Sequence, residues 1–147
     1  MNKINPIMLP IILNKLKKRF DNASPDLMQK YNLSKLHLLY IMVLFEHKEG
    51  MTLKELTEFL DFDKANTSRA ISQLISKEYV QKKAQGDLEF KYNVELTVKG
   101  RAIAKNIFEK KQKATAALSE LLTPEELSVL SQIAEKLWQF LSEDNLN

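Results

Sequence analysis

The chain has no cysteine, and only 3 glycines and 4 prolines among its 147 residues. The missing cysteine excludes disulfides, thiol nucleophiles and cysteine-ligated zinc sites within it. With glycine and proline this scarce, little punctuates the chain, and most apolar residues recur at helical spacing. The class expected is mainly α with a small β-hairpin. No glycine-rich phosphate loop occurs, and no serine, histidine and aspartate stand where the sequence brings them together, so an enzyme is not expected. His37 and His47 fall in one predicted helix and point in different directions, which excludes a local chelate, and no metal or other cofactor is expected. No apolar run approaches the roughly 18 residues of a membrane span. Ile7 to Leu13 is apolar, but Asn2, Asn5 and Pro6 precede it and no small-residue cleavage site follows. It reads as a buried helix, not a signal peptide, in a cytoplasmic protein with no membrane partner.

What is present is concentrated between Thr52 and Lys83. Leu53, Leu56, Phe59 and Leu60 recur at three and four residues and predict a scaffold helix with Lys54, Glu55 and Glu58 in solvent. Asp61-Phe62-Asp63 interrupts the period, and Asp63 suits a helix N-cap, so a second helix begins near Lys64. Ala70, Ile71, Leu74 and Ile75 lie on one side of it, and Asn66, Arg69, Gln73 and Ser76 on the other. Lys64, Asn66, Thr67, Ser68, Arg69 and Gln73 supply what a major groove requires: donors and acceptors for base edges, a cation, and small residues for close approach. A polar arc on an isolated helix is more often simply a solvated surface, and the neighbouring elements shift that balance. After Gln81-Lys82-Lys83 comes a polar turn, Gln85-Gly86-Asp87. Leu88, Phe90, Tyr92, Val94 and Leu96 then alternate with Glu89, Lys91, Asn93 and Glu95, as a half-buried strand does.

The formal net charge is only +3, and its distribution carries more information than its size. From Lys64 to Lys91 the basic residues Lys64, Arg69, Lys77, Lys82, Lys83 and Lys91 outnumber Glu78, Asp87 and Glu89. Beyond Leu118 the bias reverses, with Glu120, Glu125, Glu126, Glu135, Glu143 and Asp144 against Lys136 alone.

Helix, turn, helix and basic hairpin in this order resemble the winged helix-turn-helix of the MarR family of bacterial transcription regulators. The specific matches are Lys54-Glu55-Leu56, Asp63-Lys64, Ser68-Arg69, Leu74, and Leu96-Thr97 followed by Lys99-Gly100. The resemblance covers nearly the whole chain and implies one domain over 1–147, with the winged helix-turn-helix at 32–100. Asp61 and Glu78 stand where the family usually has glycine. The wing tip Gln85-Gly86-Asp87-Leu88-Glu89 lacks the family's usual arginine. Lys82, Lys83 and Lys91 are therefore expected to hold phosphates by point charge.

The ends of the chain read as a dimerisation region, 1–22 and 101–147. Ile7, Met8, Leu9, Ile11, Ile12, Leu13, Leu16 and Phe20 give the first helix more apolar surface than one neighbour covers. Ile103, Ile107, Ala114, Leu118 and Leu121 predict a long helix after Thr97. Thr123-Pro124-Glu125-Glu126 starts another, along which Leu127, Leu130, Ala134, Leu137 and Leu141 form a stripe widened by Val129, Ile133, Trp138 and Phe140. These terminal helices should form a dimer lobe in a homodimer that reads a palindromic operator in double-stranded DNA. The resemblance further implies a repressor released by a small-molecule effector between the lobes, with Leu13, Phe20, His37, Tyr40 and Ile41 as walls. The alternative is a protein-binding module or antirepressor with weak DNA readout, motivated by the arginine-free wing.

Overall fold

The computed structural model describes residues 3–21, 24–84 and 92–144. A 3-10 turn, Pro6–Met8, leads into α1 (Leu9–Phe20), followed by α2 (Ser24–Tyr31), α3 (Lys35–Glu46), α4 (Leu53–Leu60) and α5 (Lys64–Ser76). Two strands, β1 (Val80–Ala84) and β2 (Tyr92–Leu96), precede α6 (Val98–Leu121) and α7 (Pro124–Asp144).

Each helix of the central region starts at a residue whose side chain replaces a missing backbone partner. Thr52 accepts from the Glu55 N–H at 3.1 Å while the Glu55 carboxylate accepts from the Thr52 N–H at 2.8 Å. Asp63 accepts from the Asn66 N–H at 2.7 Å. Thr97 accepts from the Gly100 N–H at 3.0 Å. At α7, Thr123 and Glu126 exchange bonds of 3.2 and 2.9 Å, with Pro124 opening the helix as its sequence signal predicts. Such caps are each worth about 1 kcal/mol.

Both positions that lack the expected glycine keep a glycine-like backbone. Asp61 has φ 53° and Glu78 has φ 64°. At α4 the Phe62 N–H reaches the Thr57 carbonyl at 3.1 Å, and at α5 the Tyr79 N–H reaches the Leu74 carbonyl at 3.0 Å. Both helices thus end in the same left-handed closure. The departure at residue 78 alters the strain stored at the helix end and leaves its geometry intact.

The strands pair antiparallel, with Val80 opposite Leu96 and Ala84 opposite Tyr92. A segment not foreseen as sheet joins them: Met51 and Val94 exchange backbone bonds of 3.0 and 2.8 Å, so β2 is paired on both edges there. Leu88 and Phe90, expected to extend the alternation, lie outside the described residues. His47, expected inside the third helix, is the residue that ends it, its backbone N–H reaching the Val43 carbonyl.

The core lies between α2, α3, α4, α5, the sheet and the first half of α6. Leu27, Tyr40, Ile41, Leu56, Leu74, Val94 and Ile107 are each fully buried there. Gly100 admits α6 to this core, because a β-carbon at that position would stand 2.0 Å from the Tyr79 carbonyl oxygen. Helix α6 then runs for 24 residues, about 36 Å, and α7 folds back with its apolar stripe largely uncovered. Trp138 brings α7 against α4, its ring centroid 4.7 Å from that of Phe59.

Candidate nucleic-acid interface

Helix α5 carries its apolar residues Ala70, Ile71 and Leu74 into the core and leaves Lys64, Ala65, Asn66, Ser68, Arg69, Ser72, Gln73 and Ser76 exposed. Five of the six helix residues expected to face a groove are therefore on the open face. The sixth, Thr67, is corrected: it is 0% exposed. Thr67 precedes Ala70, Ile71 and Leu74 by three, four and seven residues, which is the spacing of the buried stripe. Ser72, which the sequence reading passed over, joins the open face. Its spacing of four from Ser68 and three from Arg69 was the available signal.

Thr67 has a different role. Its hydroxyl lies 3.2 Å from the Asp63 carbonyl oxygen and shares a buried hydrogen bond of 2.8 Å with the Tyr40 hydroxyl. Burial raises the Tyr40 pKa above the ordinary tyrosine value, against the opposing effect of the Thr67 bond. A buried bond of this kind resists rotation of α5 about its own axis, since turning the helix would orphan the Tyr40 hydroxyl. A second tie runs from α3 to α5 one turn nearer the start of α3, where His37 Nε2 lies 2.7 Å from Gln73 Oε1. Together these bonds set which α5 residues point outward.

At the start of the open face, Asn66 donates its Nδ2 to Asp63 Oδ2 at 2.6 Å while Asp63 Oδ1 caps the helix. Its side-chain oxygen stays available, and one of its two amide hydrogens is already engaged. Lys64 and Arg69 add positive charge at the same end. On β1, Lys82 and Lys83 are both exposed; the Lys82 ammonium sits 4.6 Å from the Tyr92 ring centroid and that of Lys83 3.8 Å from a Glu95 carboxylate oxygen. These contacts engage the ammonium ends of both lysines at a modest energetic value, because exposed pairs contribute little. Lys91 lies outside the described residues, as does the wing tip.

The residues expected to wall an effector pocket do not come together. Tyr40 and Ile41 are core, each 0% exposed, and His37 is engaged by Ser34 and Gln73. Leu13 is half exposed on α1. Their spacing on α3 put them on the face that packs inward, and tertiary contact with α5 fills that side. Phe20 alone lines an opening, a cleft of about 310 Å³ between α1, α3 and α6 that Met42, Phe108, Lys111, Gln112 and Thr115 complete. At its rim Asp21 binds Lys35 at 2.7 Å and Lys111 at 3.9 Å. The Lys35 bond, more than the general charge of Lys111 and Lys17, holds the Asp21 carboxyl below the usual carboxylate range. Among the described residues no cluster of three or more histidine, aspartate or glutamate side chains is placed to hold a metal ion. No helix there is long and apolar enough to cross a membrane.

Comparison with known proteins bears on the fold that carries this face. Residues 32–87 match the model of the MarR family. Among solved structures, a MarR protein from Peptoclostridium difficile superposes with a TM-score of 0.79 at 23% identity, over 99% of this chain and 95% of that one. A MarR family transcriptional regulator from Listeria monocytogenes, complexed with a 26-mer DNA, gives a TM-score of 0.77 at 21% identity, over 99% and 93%. NadR in complex with 4-hydroxyphenylacetate gives 0.77 at 15% identity, over 94% and 96%. No curated protein sequence is a match. The resemblance read from the sequence stands: the chain has the MarR fold, a mainly α winged helix-turn-helix with a two-stranded hairpin.

Proposed function

We propose that this MarR-like chain is a homodimeric, sequence-specific DNA-binding transcription regulator, a repressor relieved by a small-molecule effector. One observation carries the reading: α5 presents Lys64, Asn66, Ser68, Arg69, Ser72 and Gln73 together on an open face with no acidic residue, and two bonds from α3 hold that face outward. Such a face has the donors, acceptors and cations that base edges and phosphates require. Lys82 and Lys83 on β1, with Lys91, hold the backbone on the wing side as point charges. The Listeria neighbour bound to DNA has the same fold, which supports this placement.

The DNA-reading region is 32–100, and the segments 1–22 and 101–147 pair two copies. Ile133, Leu137 and Trp138 on α7 are each close to half exposed in one protomer, as are Leu9, Ile11 and Leu13 on α1. Apolar surface of that extent is what a second copy would cover. Two recognition helices related by a two-fold axis would read a palindromic operator. The cleft beside Phe20, Phe108 and Lys111 is of a size that takes a small molecule, at the junction of the terminal helices with the winged region. Its position suits an effector that shifts one against the other. DNA as the target places the protein in the cytoplasm, and no catalytic role is assigned to it.

Selection of bound duplexes from a random pool tests the proposal. A palindromic consensus is expected. For about eight phosphates contacted by a dimer, log affinity should fall with log salt at a slope near −7, at about −0.9 per phosphate. No enriched sequence, or binding without salt dependence, would remove the proposal in favour of a protein-binding module.

A further inference from the structure

Gln73 is a candidate base reader, and a buried neighbour decides which end of its amide faces the groove. His37 stands at the third position of α3 and is 8% exposed. Its Nδ1 accepts the Ser34 backbone N–H at 3.1 Å, while the Ser34 hydroxyl accepts the His37 N–H at 3.1 Å. A nitrogen that accepts a backbone N–H carries no proton, so in the neutral ring the proton is on Nε2. Nε2–H points at Gln73, and the Gln73 atom it meets at 2.7 Å is Oε1. Rotating that amide by half a turn would set two N–H donors against each other. The cap of one helix thereby orients a side chain on another.

We propose that His37 is a specificity-determining positioning residue, which holds the Gln73 carbonyl inward and presents its NH2 group to the major groove. This deepens the proposed function and rests on it. With the oxygen engaged, Gln73 offers donors where a free glutamine offers a donor and an acceptor side by side. The base edges that suit it carry acceptors, guanine N7 and O6 or thymine O4. The paired donor and acceptor of adenine, which glutamine otherwise reads in bidentate fashion, suit it less. The His37 ring never touches DNA and acts only through Gln73.

Two substitutions separate the cap from the orientation. In His37→Gln the new carbonyl can accept the Ser34 N–H and the new NH2 can donate to Gln73, so both bonds survive; glutamine and glutamate are the usual residues at this place in a capping box. In His37→Glu the cap survives and the donor is lost, and a carboxylate facing Gln73 turns its NH2 inward and its oxygen outward. Duplex selection with the full-length protein should give wild type and His37→Gln the same guanine or thymine at one half-site position. Gln73→Ala should lose the preference at that position alone. His37→Glu should shift it toward adenine or cytosine, with a change on the order of tenfold, and His37→Glu combined with Gln73→Ala should match Gln73→Ala.

An unchanged base preference in folded His37→Glu would overturn the proposal, as would a loss in His37→Gln equal to that in His37→Glu. Imidazole nitrogen NMR of the wild-type protein supplies a measurement independent of any variant. A proton on Nε2 is expected, and a neutral ring protonated on Nδ1 overturns the proposal even if His37→Glu fails to fold. Wild-type protein that enriches no sequence would remove the DNA reading and this proposal together. An enriched operator indifferent to residue 37 would remove this one alone.

Discussion

The winged region and the terminal helices are built from similar apolar residues at similar helical spacing, and they differ in what covers them. Leu56, Leu74 and Val94 are fully buried within one protomer, whereas Leu130, Leu137 and Leu141 on α7 stay about half exposed. The winged region gathers α3, α4, α5 and a sheet around one point, so every apolar stripe has neighbours on several sides. Helix α7 meets the winged region through Trp138 and Phe59, and the rest of its stripe has width to spare. Stripe width alone therefore does not say how much surface an element buries within its own chain. Whether the cover comes from its own chain is a separate matter.

The sharpest way to break this comparison is a pair of truncations. Leu74→Ala should cost about 2–5 kcal/mol of folding stability, by lost burial and a residual cavity, and leave the dimer dissociation constant near its original value. Leu137→Ala should act on association instead, raising that constant by roughly tenfold or more if it lies in the central part of an interface. Denaturant unfolding and sedimentation together read both quantities. Equal association in wild type and Leu137→Ala would show that α7 does not pair two copies.

A smaller effect tests the seam between the two regions. Gly100→Ala sets a methyl group against the Tyr79 carbonyl, with 2.0 Å of space, and should cost about 1–3 kcal/mol, typical of overpacking. The loss should appear in hydrogen exchange as earlier opening of the first turn of α6 and of the turn after α5, where the Thr97 hydroxyl donates to the Glu78 carbonyl at 2.6 Å. Protection that falls uniformly across the molecule would mean that the seam is not a local joint.

The smallest effect has the opposite sign. Glu78 holds φ 64°, a conformation costly for a residue with a β-carbon, so Glu78→Gly should gain about 0.5–1 kcal/mol after glycine's own entropy cost. Its exposed pairing with Lys99 at 3.9 Å forfeits little in exchange. A thermal midpoint that falls in Glu78→Gly would show that this side chain contributes more than its backbone strain costs.

Local chemistry was enough to read α4 to α7, the caps Asp63, Thr97 and Thr123, and the hairpin, while α2 was not foreseen. Asp63 and Thr123 are side chains able to bond an N–H three residues on, and Leu53, Leu56 and Leu60 form a stripe whatever they pack against. The open face of α5 was legible for the same reason. The misplacement of Thr67 came from taking side-chain chemistry over spacing, since its separations from Ala70 and Leu74 already put it inside. Ser72 was missed in the same way.

Other features depend on how distant segments meet. Tyr40 and Thr67 are 27 residues apart, and His37 and Gln73 are 36 apart; nothing in either segment names its partner. The same holds for the backbone pairing of Met51 with Val94 and for the cleft that Phe20 shares with Phe108. Amino-acid sequence by itself determined which surfaces of each helix are apolar, where helices begin, and which residues give α5 a polar arc, because those depend on bonds and periods within a few residues. Tertiary structure alone decided how α5 is rotated, which way the Gln73 amide points, and which of the apolar stripes one protomer leaves open, because each of these is set by contacts between segments that only folding brings together.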